Sequence, residues 1–241
     1  MIKSYCISGD SWGCGEWQLH ATNFPGGKQF DLHRHLLMSN QIVSDISLPS
    51  EHNSYTISRL TQHLENSPIE FDYVIWFQSD PLRRPSFVSD LGAASNFSLD
   101  YDWFINKSNE YLDEEYAQLN SIGKTIYCIG GISKLNTKLL SKYANLKPLI
   151  VSFPEFLMPH LPHPNLCIGD WMNYIERQVK LDELDKIKHD HFIMNKWASE
   201  ECSEFFNVGD SHPNNKAYGL LAQFITIKIG RVAESGLLHQ S

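Results

Sequence analysis

The sequence predicts an α/β protein, a three-layer α/β/α sandwich around a central parallel sheet of about five strands. Two observations lead there. Five short apolar runs rich in β-branched residues recur along the chain, and helical patterns with apolar residues three and four apart fill the intervals between them. Strands that alternate with helices pair in parallel, because each helix carries the chain back across a face of the sheet.

The first run, residues 2–8 (IKSYCIS), leads into a glycine-containing stretch, GDSWGCG, at 9–15. Helical spacing follows over 30–38, then a second run at 41–47 (QIVSDIS) and a helical pattern over 54–65. The third run is 72–78 (DYVIWFQ), in which Asp72, Tyr73 and Trp76 read as strand and core. Residues 80–100 carry the weakest pattern, and a loop of that length in a compact domain marks a functional segment. Helical spacing returns over 103–121 and 134–144, beside the runs 125–130 (TIYCIG) and 148–153 (PLIVSF). From 171 onward the pattern is helical, although the last run, NKAYGLLAQFITIKIGRV, can be argued as helix or strand. There is no internal repeat and no low-complexity linker, so residues 1–241 are read as a single domain.

Composition excludes some classes of function. The chain is 42% hydrophobic and 20% charged, as globular proteins are. A net charge of −8 without a long Lys or Arg run argues against nucleic acid as a partner. Five scattered cysteines with no C-x-x-C pair suit reduced thiols. No stretch approaches the roughly 20 apolar residues of a membrane span, and the N-terminus lacks an extended apolar leader core. A cytoplasmic protein with no membrane partner is the expectation.

Ser11 falls just past the carboxyl end of the first strand, where α/β sheets display their ligand sites. Gly9 permits a tight turn there, and Gly13 and Gly15 keep bulk away from the approach. A serine so placed presents its hydroxyl while its own backbone N–H points at a developing oxyanion. An ordinary loop serine fits the same spacing, with Asp10 bracing the turn and Trp12 and Trp17 lining a pocket or packing in the core.

Near the other end, Asp210 and His212 stand two apart in NVGDSHPNN, so in an extended segment both project to one side. The carboxylate can then hold the imidazole's tautomer, or Asp210 can cap the helix that Pro213 and the following asparagines begin. The histidines of HRH (33–35), HLPHP (160–164) and HDH (189–191) lack zinc-ligand spacing, so no metal is expected. Arg83 and Arg84 read either as an anion grip or as a solvated pair.

With these two blocks the chain resembles the SGNH/GDSL-type hydrolases, whose nucleophile follows the first strand in a GDS block and whose Asp and His lie together near the C-terminus. The resemblance implies a flavodoxin-like layout and ester chemistry through an acyl-serine, with Ser11 as nucleophile, His212 as general base and Asp210 as its orienting carboxylate. It implies no metal or organic cofactor, and a small-molecule or glycan ester as substrate, a carbohydrate O-acetyl group being the natural guess. Three departures stand out. The Asp-x-His spacing replaces the family's Asp-x-x-His and is similar to that of alginate O-acetyltransferases. The second block, LPSEHNSYTISRL, has no glycine, and Asn53, its most family-like residue, is the candidate there to face the oxyanion. The third block, commonly G-x-N-D, reads Phe77-Gln78-Ser79-Asp80, so that Gln78 or Ser79 stands in as the side-chain donor to the oxyanion. Losing one such donor typically costs about 10²–10³ in rate. Two further readings follow: a binding protein that keeps the cleft without the catalysis, and a carbohydrate O-acyltransferase.

Overall fold

Each apolar run becomes a strand: β1 (Ser4–Ser8), β2 (Ile42–Asp45), β3 (Tyr73–Gln78), β4 (Ile126–Gly130) and β5 (Leu146–Ile150). The computed structural model describes residues 2–10, 13, 32–48, 51–79, 81, 84–86, 101–131, 134–160, 205 and 213–237. The five strands pair in parallel in the order β2-β1-β3-β4-β5, the flavodoxin-like order. Residues of β1 and β3 are buried throughout, since helices cover both faces of the inner strands. Pro148 sits in β5, an edge strand, where its missing N–H costs no ladder bond on the open side.

The described helices are α1 (Leu32–Met38), α2 (Asn53–Asn66), α3 (Tyr101–Ser121), α4 (Thr137–Leu140), α5 (Phe153–Leu157) and α6 (Asn215–Leu237), with a 3₁₀ turn at Met158–His160. Alternation along the strands divides the core in two. Ile7, Ile75 and Phe77 face α1 and α6, meeting Leu32, Leu36, Tyr218, Leu221 and Ile225. Cys6, Val74 and Trp76 face α2 and α3, meeting Ile57, Leu60, Leu112, Tyr116 and Leu119. The expected three-layer sandwich is the observed one.

Two elements differ from the expectation. Pairing of β5 begins at Leu146, opposite Ile126, and the strand stops at Ile150 rather than running to Phe153. Beyond it the carbonyls are taken by other donors, Val151 O by Leu135 N–H at 2.9 Å and Ser152 O by Phe156 N–H at 3.0 Å. The helical spacing over 134–144 condenses to the single turn α4, started by Asn136, whose side chain accepts from Leu139 N–H at 3.0 Å. The ambiguous last run is helix: Ala217, Leu221, Ile225 and Ile229 recur every four residues and form one buried stripe. Among the described residues no helix is long and apolar enough to cross a membrane.

A polar latch joins β1 to β3 at the amino edge of the sheet. Ser4 donates to Asp72 Oδ2 from its N–H (2.8 Å) and its hydroxyl (3.0 Å), and Asp72 N–H donates back to Ser4 Oγ at 2.9 Å. Burial alone would raise the Asp72 carboxyl, but the Ser4 donors and the nearby Lys3 outweigh it and hold the group below its usual range. A carboxyl depressed in the folded state stabilises above its unfolded value of about 4 and loses that contribution as pH falls through the folded value. Asp72→Asn is therefore expected to flatten the fall in melting temperature below about pH 4, measured by thermal melts across the acid range. An acid limb identical to the parent's contradicts the latch.

Candidate active site

The carboxyl ends of β1 and β3 approach more closely than side chains normally allow. A Cβ on Gly9 would lie 2.7 Å from Phe77 Cβ, so only glycine fits. Gly9 is thus needed for close approach rather than for a left-handed turn, since Gly123 carries the positive φ among the described glycines. Past Gly9 the carbonyl of the buried Asp10 accepts from Gly13 N–H at 3.0 Å, closing a turn on the end of β1. Gly13 is equally constrained, because a Cβ there would meet Ser47 Oγ at 2.5 Å. Ser11, Asp210 and His212 lie outside the described residues, as do Trp12, Gly15, Trp17, Asp80, Arg83, His163, His189 and His191.

The C-terminal block can be followed from Pro213 onward. Asn214 caps α6, its side-chain oxygen accepting from Lys216 N–H (2.9 Å) and Ala217 N–H (3.2 Å). The capping role considered for Asp210 is therefore filled by Asn214. His35 on α1 bonds through Nε2 to both Asn215 O (3.0 Å) and Asn215 Oδ1 (2.7 Å), tying the first turn of α6 to α1. The second histidine of HRH is a clip between helices. Among the described residues no group of three or more His, Cys, Asp or Glu is placed to hold a metal ion.

The second and third blocks meet through Asn53. Its Oδ1 accepts from Ser79 N–H at 2.7 Å, and its Nδ2 donates to Ser79 O at 3.2 Å and to Glu115 Oε2 at 2.8 Å. One side-chain amide thus pairs with both backbone groups of Ser79, as a neighbouring strand would, and gives its second hydrogen to a carboxyl on α3. Asn53 was expected to face an oxyanion. In the fold its two amide hydrogens bond to Ser79 O and Glu115 Oε2, and the residue braces the Ser79 backbone. The brace continues downward, with Thr56 Oγ1 donating to Asn53 O (2.8 Å) and accepting from Trp76 Nε1–H (3.0 Å), and Ser8 donating to Thr56 O (3.1 Å).

Gln78 and Ser79 part company in the fold. Gln78 accepts from the Tyr116 hydroxyl at 2.6 Å and donates to Lys134 O at 3.1 Å, so its amide is engaged on the α3 side of the sheet. Burial pushes the Tyr116 hydroxyl upward, keeping it a protonated donor. Ser79 is fully buried, yet among the described residues its hydroxyl has no hydrogen-bond partner. The Ser47 hydroxyl, pressed against Gly13 beyond the end of β2, is in the same condition. A buried hydroxyl left unsatisfied costs about 1–3 kcal/mol, so two of them beside one turn mark a place where stability has been given up. Ser47 was missed by sequence reasoning, because only the strand register sets it beside Gly13.

The flanks are less suited to chemistry. Arg84 forms an ion pair with Glu114 and lies 4.9 Å from the Tyr111 ring centroid, which holds it against α3. His52 bonds through Nδ1 to Ser54 Oγ at 2.7 Å, while its buried Nε2 has no partner among the described residues. Burial lowers its pKa and Arg84 adds to that, outweighing the opposing pull of Glu51. The Cys6 thiol, pushed up to about 12 by burial and then by Asp45, is not a nucleophile at neutral pH.

No known sequence family matches the chain, and no curated protein does. Among solved structures it is similar to a Bacillus subtilis protein at 10% identity and a TM-score of 0.49, over 97% of this chain and 57% of that one. It is also similar to a lipase/acylhydrolase from Enterococcus faecalis, at 15% identity and a TM-score of 0.45, over 95% of this chain and 97% of the other. A member of the lipolytic G-D-S-L family from Veillonella parvula matches at 11% identity and a TM-score of 0.41, over 96% and 100% of the two chains.

Proposed function

We propose that the protein is a serine-dependent ester hydrolase. Ser11 Oγ bonds to the acyl carbon while His212 takes the hydroxyl proton, and His212 returns that proton to the departing alcohol. Water, deprotonated by the same imidazole, then attacks the acyl-serine; the acyl carbon–Oγ bond breaks, the imidazolium gives its proton to Ser11 Oγ, and the carboxylic acid is released. Asp210 holds the imidazole and stabilises its charged form. The Ser11 backbone N–H and the Ser79 hydroxyl face the oxyanion, and the chemistry draws on no metal or organic cofactor. A small-molecule or glycan ester is the substrate class, with a carbohydrate O-acetyl group the member implied by the family resemblance.

One observation carries this reading. The Gly9-Asp10 turn leaves the end of β1, beside the central strand, and the Ser47 and Ser79 hydroxyls are buried there with no partner among the described residues. Donors without acceptors beside a strand-end serine suit a reaction in which an oxygen becomes negative.

Ser79→Ala tests it. The turnover number for p-nitrophenyl acetate is expected to fall by about 10²–10³ with KM little changed, as for other oxyanion donors. The melting temperature is expected not to fall, because among the described residues the hydroxyl has no bond to lose. Unchanged turnover removes Ser79 from the mechanism, and a parent chain without ester turnover defeats the hydrolase reading itself.

A further inference from the structure

We propose that Glu115 is a positioning residue for this site, acting through Asn53 to fix the backbone of Ser79 and so the direction of its hydroxyl. The inference rests on the hydrolase reading for its catalytic consequence, although the brace itself is independent of it.

Glu115 occupies the face of α3 that packs on the sheet, between Tyr111 and Leu112 on one turn and Tyr116 and Leu119 on the next. It is 1% exposed. A carboxyl in such a layer is costly unless it is hydrogen-bonded, and a helix packed for stability alone would place an apolar side chain there. Its Oε2 accepts from Asn53 Nδ2 at 2.8 Å, and Asn53 uses its other amide groups on Ser79. Ser79 is also the first residue past the β3–β4 ladder, whose last pair is Gln78 with Gly130. The ladder therefore does not hold it, and the Asn53 amide supplies the bonds a strand would have given. Without an acceptor at position 115, one hydrogen of a fully buried amide is orphaned. Asn53 then gains by rotating away, which releases Ser79 N–H and C=O together. The chain from Glu115 to Ser79 contains no other movable group.

The test compares Glu115→Gln, which keeps an acceptor oxygen, with Glu115→Leu, which keeps the bulk and removes it. Glu115→Ala serves as a second removal should the leucine chain not fold. Amide hydrogen exchange is followed at Ser79 and, as internal controls, at Ile75 and Phe77 in β3, alongside kcat and KM for p-nitrophenyl acetate. In Glu115→Leu, exchange at Ser79 is expected to accelerate by at least about tenfold while Ile75 and Phe77 keep their protection. In the same chain kcat is expected to fall by at least about tenfold with KM unchanged, and Glu115→Gln to restore both readings to within about threefold. Three results overturn the proposal: unchanged Ser79 exchange, equal acceleration at Ile75 and Phe77, or faster Ser79 exchange with kcat unaltered. A parent chain that turns over no ester defeats the hydrolase reading alone, and the exchange measurements then still decide the brace.

Discussion

Ser11→Ala is expected to lower ester turnover by at least about 10⁴-fold while leaving the circular dichroism spectrum unchanged. The size of the effect follows from the role. On the proposed mechanism, removing the hydroxyl removes the atom that bonds to the acyl carbon, and only oxyanion stabilisation and substrate binding remain. His212→Ala is expected to cost a similar amount, and the double variant little more than either single one, because the two groups act as a unit. Initial rates on a short-chain aryl ester measure all three. A Ser11→Ala chain within tenfold of the parent contradicts the nucleophile assignment.

The second large effect concerns the scaffold beneath the site. Trp76→Ala is expected to destabilise the fold by about 3–5 kcal/mol, the usual cost of removing a fully buried aromatic side chain. Trp76 is fully buried, lies edge-on to Tyr116 with ring centroids 6.4 Å apart, and donates its indole N–H to Thr56 Oγ1. Against a typical domain stability of about 5–15 kcal/mol, that loss moves the urea midpoint far. It also reaches the site, since Thr56 Oγ1 is the donor to Asn53 O. Trp76→Phe keeps much of the ring volume and loses the indole bond, so a smaller cost of about 1–2 kcal/mol is expected. A midpoint unmoved by Trp76→Ala contradicts this account of the core.

How far the molecule could be read from its sequence follows from which interactions are local. All five strands lie on or beside the apolar runs, and the inner strands β1, β3 and β4, buried nearly throughout, write that burial into consecutive residues. Strand β5 was misplaced at both ends, as the bonds that limit it come from Leu135, Phe156 and the pairing with Ile126. The site shows the same division. Gly9 and Asp10 stand where the GDS block puts them, at the end of β1. Asn53 has the composition of an oxyanion donor, but composition does not reveal that Ser79 and Glu115 already occupy its hydrogens. Gln78 and Ser79 are neighbours and look interchangeable in sequence. In the fold Gln78 follows Trp76 to the α3 side, where Tyr116 holds it, and the Ser79 hydroxyl has no partner among the described residues. Ser47 and Glu115 gave no signal, because each gains its meaning from a residue tens of positions away.

The most direct test of the central claim, that Ser11 is a nucleophile activated by His212, is the position of a covalent adduct. The protein is treated with a fluorophosphonate and digested, and the modified peptide is identified by mass. A single adduct on Ser11 that disappears in His212→Ala is the predicted result. Modification at any other residue, or no modification of the folded parent chain, contradicts it.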